Sequence, residues 1–151
     1  MIAIKRTNSS DTDLSGLIRE LDKDLRSRYG AEQEHFDQFN KIENLKTVVI
    51  AYKGNEPVGC GCFKKFETDS VEIKRMFVAP RHQRKGVGAA ILKELERWAA
   101  EIGYGAMVLE TGTRQPEAIQ LYKKSGYQVI PNFSPYIGNM LSICMKKELN
   151  I

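Results

Sequence analysis

The chain has 151 residues, 42% hydrophobic and 28% charged, and a net charge of +4. That length supports one ordinary core without staples, so a single domain over residues 1–151 is expected. The charge is modest and not gathered into basic runs with interleaved aromatics, which argues against a nucleic-acid-binding domain. No apolar run reaches bilayer length, and the opening MIAIKRTNSS lacks a signal-peptide apolar region.

Cys60, Cys62 and Cys144 are an odd number without zinc spacing, and read as reduced thiols of an intracellular, cytoplasmic protein. His35 and His82 are too separated to suggest a metal cluster, so no metal is expected.

In chain order, Ile2 to Arg6 reads as a strand. Asp11 or Thr12 caps a helix carrying Leu14, Leu17, Ile18, Leu21 and Leu25 on one face, and Gly30 ends it. Ala31 to Asn40 (AEQEHFDQFN) is a loop or short helix. It suits a substrate lip or a surface helix anchored by Phe36 and Phe39. Thr47 to Tyr52 and Val58 to Phe66 form a hairpin around Gly54-Asn55. Gly59 and Gly61 suggest a bend or a close backbone approach. Cys60 and Cys62 share a strand face and are expected to pack rather than react.

Thr68 to Ser70 turns the chain into the strand Val71 to Val78. Its apolar phase slips: Val71 and Ile73 share one parity, Met76 and Val78 the other. A β-bulge near Lys74-Arg75 accounts for the slip, as would burial of both faces near the strand end. Pro80 stops the strand. After the basic turn Gln83-Arg84-Lys85-Gly86-Val87-Gly88, Val87, Ile91, Leu95, Trp98 and Ile102 recur at helical spacing. A glycine turn leading into a helix N-terminus offers unpaired N–H groups and a positive dipole end to an anion. A P-loop would need Lys-Ser or Lys-Thr where Ala89-Ala90 stands, and a dinucleotide fingerprint a glycine at Ile91.

Gly103 stops the helix. Ala106 to Glu110 is then a strand reached by a helical crossover, and so parallel to its predecessor. Pro116 opens a helix with Ala118, Leu121 and Tyr122 on one face, ended by Gly126. Tyr127 to Ile130 and Leu141 to Lys147 close the chain as strands around the loop PNFSPYIGNM. The fold class expected is α/β (α+β), a mixed, mainly antiparallel sheet with helices on both faces.

Gln83, Gly86 and Gly88, with the lead-in Val78-Ala79-Pro80, resemble the acyl-CoA turn of the GNAT superfamily of N-acyltransferases. Ala118, Leu121, Tyr122, Gly126 and Tyr127 resemble the superfamily's second signature, and together the two cover almost all of the chain after the first forty or so residues. The resemblance implies acetyl transfer from acetyl-CoA to an amine. It also implies a central parallel strand pair that splays to admit the pantetheine arm against the backbone of Met76, Phe77 and Val78. The pyrophosphate would rest on N–H groups from Gln83 through Val87 to Gly88, with Arg84 and Lys85 supplying charge. The N–H of Phe77 or a neighbour would polarise the thioester carbonyl, a role worth roughly 2.7–4 kcal/mol. Ala118 would border the cofactor, and Tyr122 stands where the leaving thiolate is protonated. Many relatives carry an Asn where Glu110-Thr111 stands, so cofactor contacts there are expected to differ.

An alkylammonium with pKa near ~10.4 must lose a proton before it attacks. Glu72, interrupting an apolar strand beside the expected cleft, is the first candidate base, and Glu110 the second. Either could instead pair with Lys74 or Arg75. Phe36 and Tyr136 are candidate substrate contacts, and a polyamine, an amino acid, an aminoglycoside-like molecule or a peptide amine all fit as acceptor. A homodimer is the assembly to test. Two other functions stand beside the transferase: an inert acyl-CoA-binding regulatory module and, from another class, a small basic nucleic-acid-binding domain.

Overall fold

The computed structural model describes residues 1–30 and 44–149. The expectations for Ala31 to Asn40, including Phe36, lie outside the described residues. The elements are β1 (Ile2–Thr7), α1 (Thr12–Tyr29), β2 (Val48–Lys53), β3 (Glu56–Glu67) and β4 (Ser70–Val78), followed by a 3-10 turn (Pro80–His82). Then come α2 (Val87–Ile102), β5 (Ala106–Gly112), α3 (Pro116–Lys124), β6 (Gln128–Ile130) and β7 (Ser142–Glu148). The strands form one sheet in the order β1-β2-β3-β4-β5-β7-β6, antiparallel except for β4 beside β5.

The helices cover both faces. Asp11 caps α1 by accepting the Asp13 N–H at 2.9 Å. Leu14, Leu17, Leu21, Leu25 and Tyr29, three or four residues apart, bury one helix face against Val48, Ile50, Cys60, Cys62 and Phe77. On the opposite face Val87, Ile91, Leu95 and Ala99 of α2 pack on Val49, Ala51, Val71, Ile73, Met107 and Leu109. β2 is apolar at every position from Val48 to Ala51 because each of its faces meets a helix. Gly59 and Gly61 permit a close approach: a Cβ there would lie 2.9 Å from Ile91 Cδ1 and from Met76 Sδ respectively.

The bulge expected near Lys74-Arg75 is present. Cys60 pairs with Phe77 and Cys62 with Lys74, so Arg75 and Met76 both face Gly61. The extra residue keeps Val71, Ile73, Met76 and Val78 on the α2 face despite their phase slip. Arg75 takes the turn in a left-handed conformation, φ +56°. Its guanidinium is fixed by Asp22 of α1, 2.6 Å away. The Cys60 and Cys62 thiols donate to the carbonyls of Arg75 and Lys74 at 3.4 and 3.2 Å. Burial pushes both thiols up, Cys62 to about 12, so they brace the bulge and do not react. No helix among the described residues is long and apolar enough to cross a membrane.

Candidate active site

β4 and β5 pair from Ser70–Ala106 to Ile73–Leu109 and no further. Beyond that rung β4 stays with β3 and β5 with β7, so the two strands part. The opening is a cleft whose mouth is open to solvent. Alternation places Glu72, Lys74 and Glu110 on the α1 face of the sheet, opposite Ile73 and Leu109. Tyr122 reaches the cleft from α3, on the other face.

Of the two candidate bases, Glu72 is 6% exposed, and its Oε2 lies 3.1 Å from Lys74 Nζ. The pairing that competed with its role as base is therefore the arrangement found. Glu110 sits across the gap. Burial pushes its carboxyl up to about 7; the Ser142 hydroxyl and the Lys74 ammonium act against the shift, and the Glu72 charge adds to it. Tyr122 is 5% exposed and stacks edge-on with Tyr127 at 5.9 Å. Burial, then the Glu110 charge, raises its pKa, so the hydroxyl stays protonated and can donate. Ala118, one turn earlier on α3, and Met76 of the bulge also line the cleft.

Beyond β4 the chain rises to the glycine turn. Gly86 is the N-cap of α2 with φ +82°, and a Cβ there would meet nothing within 4 Å. Gly88 has a different reason: a Cβ there would sit 2.7 Å from Leu121 Cδ2, so its bareness lets α2 and α3 pack together. The first helical N–H with an internal acceptor is that of Ala90, which bonds Gly86 O at 3.1 Å. Among the described residues the N–H groups of residues 84–89 have no backbone acceptor. Arg84 and Lys85 are exposed beside them and form no ion pair among the described residues, whereas Arg81 is engaged by Glu56. Gln83 turns inward, its Nε2 donating to Val78 O at 3.1 Å.

The ladder also distinguishes Phe77 from its neighbour. Ala79 N–H bonds Val58 O at 2.9 Å, and Phe77 stands opposite Cys60. Alternation of an antiparallel ladder thus turns Phe77's N–H toward β3 and Val78's toward the opening. Phe77 packs its ring, 7% exposed, under α1.

Five expected residues, Glu72, Glu110, Met76, Ala118 and Tyr122, meet in one cleft, and the turn from Gln83 to Gly88 follows β4 in the chain. Tyr136, expected at the acceptor, is 1% exposed behind Lys74 and is not part of the lining; its hydroxyl accepts from Lys74 Nζ at 3.1 Å. Sequence reasoning missed Tyr29. Its hydroxyl accepts the Arg114 N–H at 3.1 Å at the cleft wall, leaving no room for a Cβ at Gly112. The signal was available, since Tyr29 continues the four-residue spacing from Leu21 and Leu25.

Residues 15–127 match the Acetyltransferase (GNAT) family. An Azospirillum brasilense protein named IAA acetyltransferase is 33% identical over 150 residues, 98% of each chain. A Klebsiella pneumoniae protein assigned to the acyl-CoA N-acyltransferases superposes with a TM-score of 0.82 at 28% identity, over 99% of both chains. An Elizabethkingia anophelis GNAT family acetyltransferase with acetyl-CoA bound shares the fold at a TM-score of 0.69 and 21% identity, over 98% of both chains. With the splayed pair, the capped turn and the family match in agreement, the chain belongs to the Acetyltransferase (GNAT) family.

Proposed function

We propose that both substrates bind together, that a primary amine attacks the acetyl group directly, and that Glu110 takes the proton the amine must lose. The observation that carries this reading is a carboxyl at the open end of β5 whose pKa is pushed up to about 7. A base with that proton affinity is half ionised at neutral pH and still strong enough to assist. Glu72 is tied to Lys74, which favours Glu110 for the task.

The turn fits the cofactor. The backbone N–H groups of residues 84–89 and the charges of Arg84 and Lys85 suit a pyrophosphate. Val78 N–H faces the opening, where it can receive an amide or carbonyl group of the pantetheine arm. When bound, acetyl-CoA supplies the activated acetyl thioester. Glu110 stands on the α1 face to receive a proton, and Tyr122 on the α3 face to give one. Acid and base on opposite sides of one gap suit a displacement that enters from one face and leaves by the other. Cys60, Cys62 and Cys144 are buried and none lines the cleft, which supports direct transfer over an acetylated cysteine. The same free thiols support a reducing compartment, the cytoplasm.

The test is incubation with acetyl-CoA and a panel of polyamines, amino acids, aminoglycosides and peptide amines while free thiol is monitored. Turnover with at least one amine is expected. No turnover with any amine, together with a melting temperature raised by acetyl-CoA, would favour the inert binding module. Salt-dependent binding to a random duplex would favour the nucleic-acid reading.

A further inference from the structure

Lys74 has no part in the reaction as derived, yet it is buried at the centre of the cleft's charges. Its side chain is 5% exposed, and its Nζ lies 3.1 Å from both Glu72 Oε2 and Tyr136 Oη. The ammonium also stands 5.6 Å from the Tyr136 ring centroid. Each element packed around Glu110 contributes groups that face it. β4 brings Glu72 and Lys74; β7 brings Ser142 and Cys144; α3 brings Tyr122; α1 brings Tyr29; and the loop before β7 brings Tyr136. Arg75 also lines the cleft, but its guanidinium is engaged by Asp22. Among these described groups Lys74 carries the positive charge that acts on both carboxylates.

We infer that Lys74 is a positioning residue: held between Glu72 and Tyr136, its ammonium engages Glu72 and so decides which of the two carboxylates is the base. Two carboxylates facing one gap without a cation would share a proton, one keeping it and the other losing it. Lys74 prevents that by pairing with Glu72 on its own strand. Glu72 is then the partner of Lys74, and Glu110, across the opening, is the group that gains and loses the proton. Tyr136 completes the clamp with its hydroxyl. This accounts for a buried tyrosine behind the cleft and for a buried lysine on β4.

The inference rests on Glu110 as the base, so its test must not depend on turnover. The midpoint of Glu110 is read directly, by isotope-edited infrared or carboxyl carbon NMR on the free enzyme, in wild type, Lys74→Met and Glu72→Gln. Removing the cation is expected to raise the midpoint by about one pH unit or more, and removing the neighbouring anion to lower it. Lys74→Arg should return it toward wild type. A lysine that served packing alone would leave the Lys74→Met midpoint with the wild type. Should Lys74→Met not fold, Glu72→Gln and Tyr136→Phe carry the test. Tyr136→Phe removes the hydroxyl tie to the ammonium and should shift the midpoint by a smaller amount. Midpoints unchanged within error across the folded variants would overturn the inference. Failure of the base assignment is a separate result, read as a Glu110→Gln enzyme that keeps its turnover.

Discussion

The two ends of the β4–β5 pair are built from the same two strands and behave as different structures. From Ser70 to Ile73 the strands are in register, with Val71, Ile73, Met107 and Leu109 all at most 3% exposed. Past that point the bulge at Arg75 turns β4, the ladder ends, and Lys74, Glu110 and Thr111 join Met76 in lining a cleft. The closed end is core. The open end presents backbone groups that β-pairing would otherwise consume, with walls that exclude enough water to push Glu110 up to about 7. A ligand-binding edge and a tuned carboxyl thus arise from one event, the loss of pairing after four rungs.

Substitutions at the two ends should separate cleanly. Glu110→Gln, at the open end, is expected to lower turnover by ~10²–10⁴-fold, the usual contribution of a positioned proton acceptor. Calorimetric affinity for acetyl-CoA should hold, because the turn is untouched. Met107→Ala, at the closed end, should cost about 2–5 kcal/mol of stability by leaving a cavity. Urea unfolding measures it, and the folded fraction should keep its turnover. Tyr122→Phe removes the hydroxyl from the open end and should cost roughly 10-fold or more in turnover with little change in cofactor affinity. Equal rates would return Tyr122 to packing.

At the glycine turn the prediction differs by residue. Gly86→Val forces a β-branched side chain into a left-handed conformation at a cost of ~1–2 kcal/mol, yet meets no neighbour, so the protein should fold and bind acetyl-CoA weakly. Gly88→Val should lower the melting temperature instead, because Leu121 already occupies the space.

The smallest expected effect is one of pH. Glu110 has a folded pKa raised above the ordinary carboxylate value, so the unfolded chain releases this proton first. The native state therefore loses stability as pH rises from ~4.3 toward about 7, and does not regain it above. Glu110→Gln should be more stable than wild type by ~1–3 kcal/mol near pH 8 and little different near pH 4. Thermal melts at the two pH values check the sign.

Much of this was legible in the sequence because it is local. The Asp11 cap, the helix opening after Gly86 and the bulge each leave a mark within a few neighbouring residues; the bulge does so as a change of parity between Ile73 and Met76. The crossover from β4 through α2 to β5 requires a parallel pair, and the structure has one. What was not legible depends on residues distant in the chain. Glu110 owes its raised pKa to the walls that β7 and the α1 face build around it, and no spacing rule announces that β7 enters between β5 and β6. The tie from Lys74 to Tyr136 spans 62 residues. Gly88 matched the turn motif, but its contact is with Leu121 on another helix. Glu72 drew attention by interrupting an apolar strand, and the same observation fits a buried counter-charge.

The most direct measurement is the pH dependence of kcat/KM for wild type and Glu110→Gln, with acetyl-CoA saturating and the best amine of the panel. A rising limb with a midpoint near 7 in the wild type, absent from a slow Glu110→Gln enzyme, is the predicted result. The same limb at comparable height in Glu110→Gln would contradict the account and place the base elsewhere.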